Sequence, residues 1–316
     1  MNFHNEIGGY FQLELREFTS TRNDVILLNS ARSALRCIVR NYHVKEIQVP
    51  YYTCPVIWQA LLAENCKLLP YDIDDNFSPI SINPELPVIY TNYFGINSNI
   101  VNSLTKVCKY LILDNAQAFF AKPEGIGCIW SPRKFFGLPD GGILWPKISG
   151  LNLKESQSWH RCSHLLKRVD LGASNGYSDF KINDSSLDKE EPCYMSKLTE
   201  FLMNGIDINY VKEKRVQNFT YLDKMIGSIN GIKIAYDPTN DVPMVYPLRT
   251  KNRTLREILI KNKIYVAKYW PKNDGMDCMT SYKSMKMAEE IIPLPIDQRY
   301  DDEDMEIISE IILRNL

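Results

Sequence analysis

The stretch Lys109 to Trp145, KYLILDNAQAFFAKPEGIGCIWSPRKFFGLPDGGILW, constrains the fold of this chain more than any other. It reads as a buried strand from Tyr110 to Leu113 ending on Asp114, then a second short strand from Ile126 to Trp130. Ser131, Lys134 and a glycine pair follow, and a third apolar strand begins at Ile143. Apolar runs this short, bounded by Gly, Pro and Asp, suit strands buried on both faces of a parallel sheet. An acid at the C-terminal end of such a strand lies where open α/β sheets bind ligands.

The same rhythm runs upstream. ILLNSARSALRCIVRNY predicts a strand to Leu28, a turn at Asn29 and Ser30, and a helix with Leu35, Ile38, Val39 and Tyr42 on one face. A strand entering a helix in this way presents free N–H groups and a positive dipole end, suited to phosphate; Ser30 also reads as a plain helix cap. EIQVPYYTCPVIWQALLAENCKLLPYDID predicts a strand over Ile47 to Val49, a helix from about Pro55 to Asn65, and a strand from Lys67 to Ile73. PVIYTNYFG adds a strand ending in polar and aromatic residues, and a helix from about Ile100 to Cys108 leads into the Asp114 strand. Strands alternating with helices predict βαβ units, right-handed crossovers and a mostly parallel sheet.

After Pro146 the strand rhythm stops. Residues 151 to 235 read as helical, with polar insertions such as NDSSLDKEEP. They include a long amphipathic helix in GIDINYVKEKRVQNFTYLDKMI, with Val211, Val216, Phe219 and Leu222 among its apolar positions. The last part alternates again: VPMVYPLRT as a strand, NRTLREILIKNKI as a helix and IYVAKYWP as a strand. EIIPLPIDQRY then leads to a terminal helix whose first turn holds Asp301, Asp302, Glu303 and Asp304, as the helix dipole favours. The fold class expected is α/β, with a large domain over residues 1–235 and a small α+β domain over 236–316.

A net charge of −1 over 316 residues gives no general attraction to nucleic acid or anionic membrane. No apolar run approaches the roughly 20 residues that span a bilayer, and no basic-then-apolar leader opens the chain, so a soluble cytoplasmic protein is expected. The eight cysteines (37, 54, 66, 108, 128, 162, 193 and 278) form no C-x-x-C pair and read as reduced, mostly buried thiols. His160 and His164 share an i, i+4 spacing but no accompanying carboxylate motif, so a solvated or capping role is expected and no metal.

A carboxylate and a lysine on neighbouring turns of one sheet are the two groups that pyridoxal phosphate (PLP) needs. A lysine amine forms a Schiff base with its aldehyde, and an acid holds its pyridine nitrogen protonated so that the ring accepts electrons. Asp114 and Lys134 suit those roles, with Arg133 beside the lysine as a neighbour able to lower its pKa. Taken alone, an aspartate and a lysine in loops read first as solvated surface charges.

DNAQAFF, then SPRK, then PDGG together resemble the cofactor-binding core of the DegT/DnrJ/StrS-type sugar aminotransferases, a family of the PLP-dependent enzymes of fold type I. The resemblance implies a fold type I large domain with a smaller C-terminal α+β domain. It implies Asp114 at the pyridine nitrogen, Gln117 beside the ring hydroxyl, Ser131 near the phosphate and Lys134 as the Schiff-base lysine. The serine-to-lysine gap is about two residues shorter than in the family. Ser30, Ala31 and Arg32 stand where the family has Ser-Gly-Thr at the phosphate, and the arginine could bind phosphate bidentately. Cys54 stands where an aromatic stacks on the ring, leaving Tyr51 or Tyr52, or the thiol itself, for that face. Ser196 is the nearest equivalent of a phosphate contact given by a neighbouring subunit. Asn92 and Tyr93 fall on the substrate-facing turn, and Arg249 and Arg299 are arginines for a carboxylate donor or a substrate phosphate.

The resemblance further implies a homodimer with active sites at its interface. The reaction implied is transfer of an amino group from glutamate or another amino acid to a keto sugar, nucleotide-linked, for amino-sugar or surface-polysaccharide synthesis. A transaminase acting on a non-sugar carbonyl compound and a PLP-binding protein without turnover are the alternatives. Lys134 argues against the related dehydratases, which lack the lysine.

Overall fold

The computed structural model describes residues 12–18, 24–271 and 280–316. Part of the expected N-terminal arm (Ile7 to Leu15), His4 and Cys278 lie outside the described residues.

The chain alternates strand and helix through its first half: β1 (Ile26–Leu28), α1 (Ala31–Asn41), β2 (Glu46–Pro50), α2 (Pro55–Ala63), β3 (Lys67–Tyr71), β4 (Val88–Thr91), α3 (Ser98–Val107), β5 (Leu111–Asp114), β6 (Gly127–Trp130) and β7 (Gly142–Trp145). These strands form one seven-stranded sheet in the order β1-β7-β6-β5-β4-β2-β3. The pairs from β3 to β6 are parallel, while β7 runs antiparallel to both β6 and β1. Every residue of β4, β5 and β6 is buried, which explains why these strands read as continuous apolar runs rather than alternating ones. One face is covered by α1 and α2 through Leu35, Ile38 and Trp58, and the other belongs to a larger core that reaches into the C-terminal part.

α4 (Ser163–Leu171) and α5 (Ala173–Ser186) form a hairpin, followed by α6 (Lys197–Asn204) and the long α7 (Ile208–Ile226). Ser30, Ser196 and Asp207 cap α1, α6 and α7, each accepting a hydrogen bond from a backbone N–H of the first turn. β8 (Val245–Arg249), α8 (Leu255–Lys261), α9 (Tyr282–Glu290), β9 (Ile291–Pro295) and α10 (Asp302–Arg314) complete the chain. β8 and β9 make a second, two-stranded antiparallel sheet.

Three features differ from the sequence reading. Residues 264–271, expected as a strand, pair with nothing in a sheet. Their apolar side chains pack instead as an aromatic cap, with Trp270 on Tyr52 at a centroid distance of 4.8 Å and Tyr269 facing Phe94 at 6.3 Å. Tyr42 leaves the buried stripe of α1 because it falls at the C-cap, where its hydroxyl donates to the Ile126 carbonyl. On α7 the buried positions include Arg215 and Asn218, whereas Val216 is only half-buried.

Candidate active site

The parallel strands end on one edge of the sheet, and the sequence-derived candidates gather there. Asp114 is the last residue of β5 and is 3% exposed. One of its carboxylate oxygens accepts from the Ala116 N–H at 3.0 Å, and the Thr91 hydroxyl at the end of β4 donates to it. An ionised carboxylate only accepts, so Thr91 spends its proton on Asp114 and in turn takes one from Thr53, 2.7 Å away. Thr53 follows β2, so three adjacent turns are tied into one relay. Burial raises the Asp114 pKa, against Lys134, the Ala116 N–H and Thr91, which lower it. A carboxylate held in this state gains from any further cation brought against it.

Lys134 ends a single 3-10 turn, Pro132–Lys134, directly after β6, and its side chain is exposed. Its charge acts on both Asp114 and Cys54. Cys54, half-buried at the start of α2, also feels Asp114 and Arg32; burial raises its pKa despite the two cations. The structure therefore brings Arg32, Cys54, Asp114 and Lys134 around one space. Ser131 is buried, and its carbonyl accepts the Lys134 N–H.

Gln117, 1% exposed, gives its carbonyl oxygen to the Phe94 N–H and leaves Nε2 without a partner. The Ser30 turn is pressed against β7: a Cβ on Gly142 would lie 2.1 Å from the Ser30 carbonyl carbon. Glycine is required there, and the next strand can then brace the first turn of α1. Asp140, just before the glycine pair, is 1% exposed and accepts from Ser156, from the backbone and hydroxyl of Ser196, and from Thr199. It fastens this turn to α6.

The other candidates are engaged within the chain. Ser196 spends its hydroxyl on α6 and Asp140 inside its own chain. Tyr93 is fully buried, its hydroxyl donating to the Tyr52 carbonyl at 2.6 Å, so it belongs to the core. Tyr52 lies beside it, 1% exposed, with ring centroids 5.7 Å apart; Tyr51 faces Trp58 instead. Of the three candidates for the ring face, Cys54 is the one whose charged neighbours are Lys134 and Asp114. Asn92 is buried and donates to Asn115, with its own Oδ1 unpartnered. Arg249 pairs with Glu290 at 2.8 Å and Asp75 at 3.0 Å. Arg133 pairs with Asp184 at 3.2 Å.

Arg299, by contrast, lines the same cleft as Lys134, a space of about 640 Å³ shared with Arg133, His164, Arg168 and Arg215. Asp297 is the one acid among its lining residues, and it is already bonded to Arg299 at 2.6 Å. The cleft is strongly cationic and favours an anionic ligand.

Arg215 and Gln298 hold the turn after Lys134 in a way that the sequence reading missed. Arg215, 2% exposed, donates to the carbonyls of Met244 (2.8 Å) and Phe135 (3.3 Å) and lies over the Phe135 ring at 4.5 Å. Burial pushes its pKa down to about 10. Gln298 donates to the same Phe135 carbonyl at 2.9 Å. The residue after Lys134 is thus held from α7 and from the segment after β9. The available signal was spacing: Arg215 and Asn218 fall in step with Val211, Leu222 and Ile226 on the buried face of α7. His164, expected as solvated or capping, is 9% exposed with Nδ1 unpartnered. Among the described residues no cluster of His, Cys, Asp and Glu could hold a metal ion. The seven described cysteines are free thiols.

No family model and no curated protein matches the sequence. Solved structures do. The sugar aminotransferase CalS13 from Micromonospora echinospora is 14% identical, with 92% of this chain and 87% of that one covered and a TM-score of 0.61. A DegT DnrJ EryC1 StrS aminotransferase from Brucella abortus is 14% identical over 92% and 85%, with a TM-score of 0.60. Spr1654 from Streptococcus pneumoniae, solved in a PMP form, is 15% identical over 91% and 86%, with a TM-score of 0.64. The chain therefore shares its fold with these aminotransferase structures, as the α/β reading with a mostly parallel sheet expected.

Proposed function

We propose that this chain is a PLP-dependent aminotransferase that moves an amino group from an amino acid, glutamate first, to a nucleotide-linked keto sugar. The observation that carries this reading is Asp114: a buried carboxylate at the C-terminal edge of a parallel strand, with the Lys134 amine near enough for its charge to act on it.

The residues fit the cofactor in three further respects. The unpartnered Gln117 Nε2 is a donor for a ring oxygen. The Ser30 turn offers the first-turn N–H groups of α1 to a phosphate. Cys54, half-buried with Lys134 and Asp114 as charged neighbours, is the side chain we assign to the face of the ring. Bound there, PLP supplies an aldehyde that takes up amino groups and a ring that accepts electrons from a substrate carbon. Lys134 would hold that aldehyde and serve as the proton carrier, and Asp114 would keep the ring nitrogen protonated. The three neighbours in fold are described as sugar or DegT-type aminotransferases, and one was solved in a PMP form.

The cationic cleft supports a charged substrate. Arg299 is the guanidinium we assign to the donor carboxylate, and the rest of the cleft suits an acceptor bearing phosphate. We assign the unit up to residue 235 to cofactor binding and the unit from 236 onward to closing the cleft. No described helix is long and apolar enough to cross a membrane; the location we propose is the cytoplasm. The hairpin of α4 and α5 exposes Leu166, Tyr177 and Ile182, a face suited to a second copy in a homodimer. The test is turnover: glutamate and a nucleotide-linked keto sugar should yield 2-oxoglutarate. Arg299→Met should raise KM for glutamate about tenfold with little change in kcat. Release of no 2-oxoglutarate with any keto sugar offered would remove the proposal.

A further inference from the structure

The acidic segment NDSSLDKEEP, a polar insertion by sequence, lies along the turn that opens α1. Asp188 stands 2.6 Å from Arg32, Asp184 3.2 Å from Arg133 and Glu191 2.9 Å from Arg36. Glu190 accepts from Asn29 at 3.0 Å and pairs with Arg161. One short run of carboxylates thus covers the cations around the Ser30 turn and the Lys134 turn together.

Arg32 and Arg133 are the part of this arrangement that a surface ion-pair network does not explain. Each side chain is only 13% exposed. Burial lowers the Arg133 pKa, Asp184 opposes the shift, and Arg32 is near enough to add to it. Two buried guanidiniums side by side repel unless an anion stands with them. Asp188 fills that place, since its charged neighbours are Arg32, Asp184 and Arg133. It fills it poorly. Burial raises its pKa in spite of both arginines, the adjacent Asp184 raises it further, and Arg133 Nε is left buried without a partner. A phosphate monoester brings about two charges and three acceptor oxygens in a geometry that guanidinium forks match. The first-turn N–H groups of α1 lie beside it.

We propose that Arg32 and Arg133 form a two-arginine site for a phosphate monoester, for which Asp188 and Asp184 compete and which the phosphate enters by displacing the acidic segment. The inference rests on the reading above, in which the Ser30 turn receives the cofactor's phosphate. It adds Arg133 as a phosphate contact and a built-in competitor for the site.

Calorimetric titration of the full chain with inorganic phosphate, pyridoxal phosphate and pyridoxal tests it. The double variant Asp184→Asn, Asp188→Asn should bind both phosphate-bearing probes about tenfold more tightly, and Arg133→Gln about tenfold more weakly. Pyridoxal, which lacks the phosphate, should bind equally to all three proteins. In the parent, added phosphate should speed amide exchange across residues 184–191, a readout that survives if the double variant fails to fold. Unchanged phosphate affinity in the variants, or slowed exchange in that segment, overturns the proposal. Carboxylate-dependent phosphate binding without a coloured complex of pyridoxal phosphate would keep this inference and remove the cofactor reading. A coloured complex of unchanged affinity would do the reverse.

Discussion

Asp114 is legible in the sequence because it ends an apolar run, whereas Lys134, four residues beyond the end of β6, stands out only through the resemblance that SPRK carries. Their surroundings are less legible. Thr53, Thr91 and Asp114 come from three turns 38 and 23 residues apart, and only the sheet brings them into one relay. Asp114→Asn keeps the shape but cannot hold a ring nitrogen protonated. It should lower kcat/KM roughly 10²-fold while far-UV circular dichroism stays unchanged; an effect within twofold would place the role elsewhere. Arg215 escaped notice because a single polar residue inside an apolar pattern disappears into the periodicity, and Asp140 because its partners Ser156, Ser196 and Thr199 lie far along the chain; His164 was noticed for its spacing from His160, but its burial was not foreseen. His164 also gives a pH dependence. Burial lowers its pKa below the ordinary 6.5, with Arg133 adding and the Arg161 backbone, Asp179 and Asp184 opposing. Below that value the unfolded chain takes up a proton that the folded chain resists, so stability is lost as pH falls. His164→Gln should therefore show a smaller drop in Tm between about pH 7 and pH 5 than the parent. An equal drop would exclude His164 as the source.

At the level of elements, the strands and helices up to β7 stand within a few residues of their expected positions, because each is bounded by Gly, Pro, Asp or Asn and filled by an apolar run of its own. The segment 264–271 carries the same apolar density but no strand neighbour. Its aromatic side chains close over Tyr52 and Phe94 instead, which sequence alone does not distinguish from a strand. β9 and α9 were not foreseen, since IIPLP holds two prolines and pairs only with β8. The brace between β7 and α1 is open to a direct test. Gly142→Ala places a methyl 2.1 Å from the Ser30 carbonyl carbon, so backbone must shift. The expected cost is about 1–3 kcal/mol, read as a lower Tm together with weaker phosphate binding. The link from α7 to the lysine turn is tested by Arg215→Met. The variant takes the Arg215 donor from the Met244 carbonyl at about 1–3 kcal/mol and leaves the Phe135 carbonyl to Gln298 alone, offset in part by removing a buried charge. A fall in kcat greater than the fall in Tm would accord with a role in positioning Lys134, whereas unchanged kcat would make Arg215 structural only.

For the whole molecule, the strand order puts β5 between β4 and β6. Three parallel strands therefore end side by side, and their loops supply Asn92, Asp114 and Lys134. The C-terminal part returns Arg299, Gln298 and Tyr269 to the same edge, where Tyr269 stands near enough to Cys54 and Arg215 for their charges to shift it. The proposed homodimer predicts twice the monomer mass by light scattering. Leu166→Glu with Ile182→Glu should weaken association at least roughly tenfold. The central claim is that Lys134 and Asp114 hold pyridoxal phosphate for amino transfer. The visible spectrum of the purified protein, with pyridoxal phosphate and then glutamate, for the parent and for Lys134→Ala, tests it most directly. The account predicts a yellow parent that glutamate bleaches and a Lys134→Ala variant that neither develops the parent's colour nor turns over. A parent that stays colourless with pyridoxal phosphate, or a variant that colours and bleaches as the parent does, would contradict it.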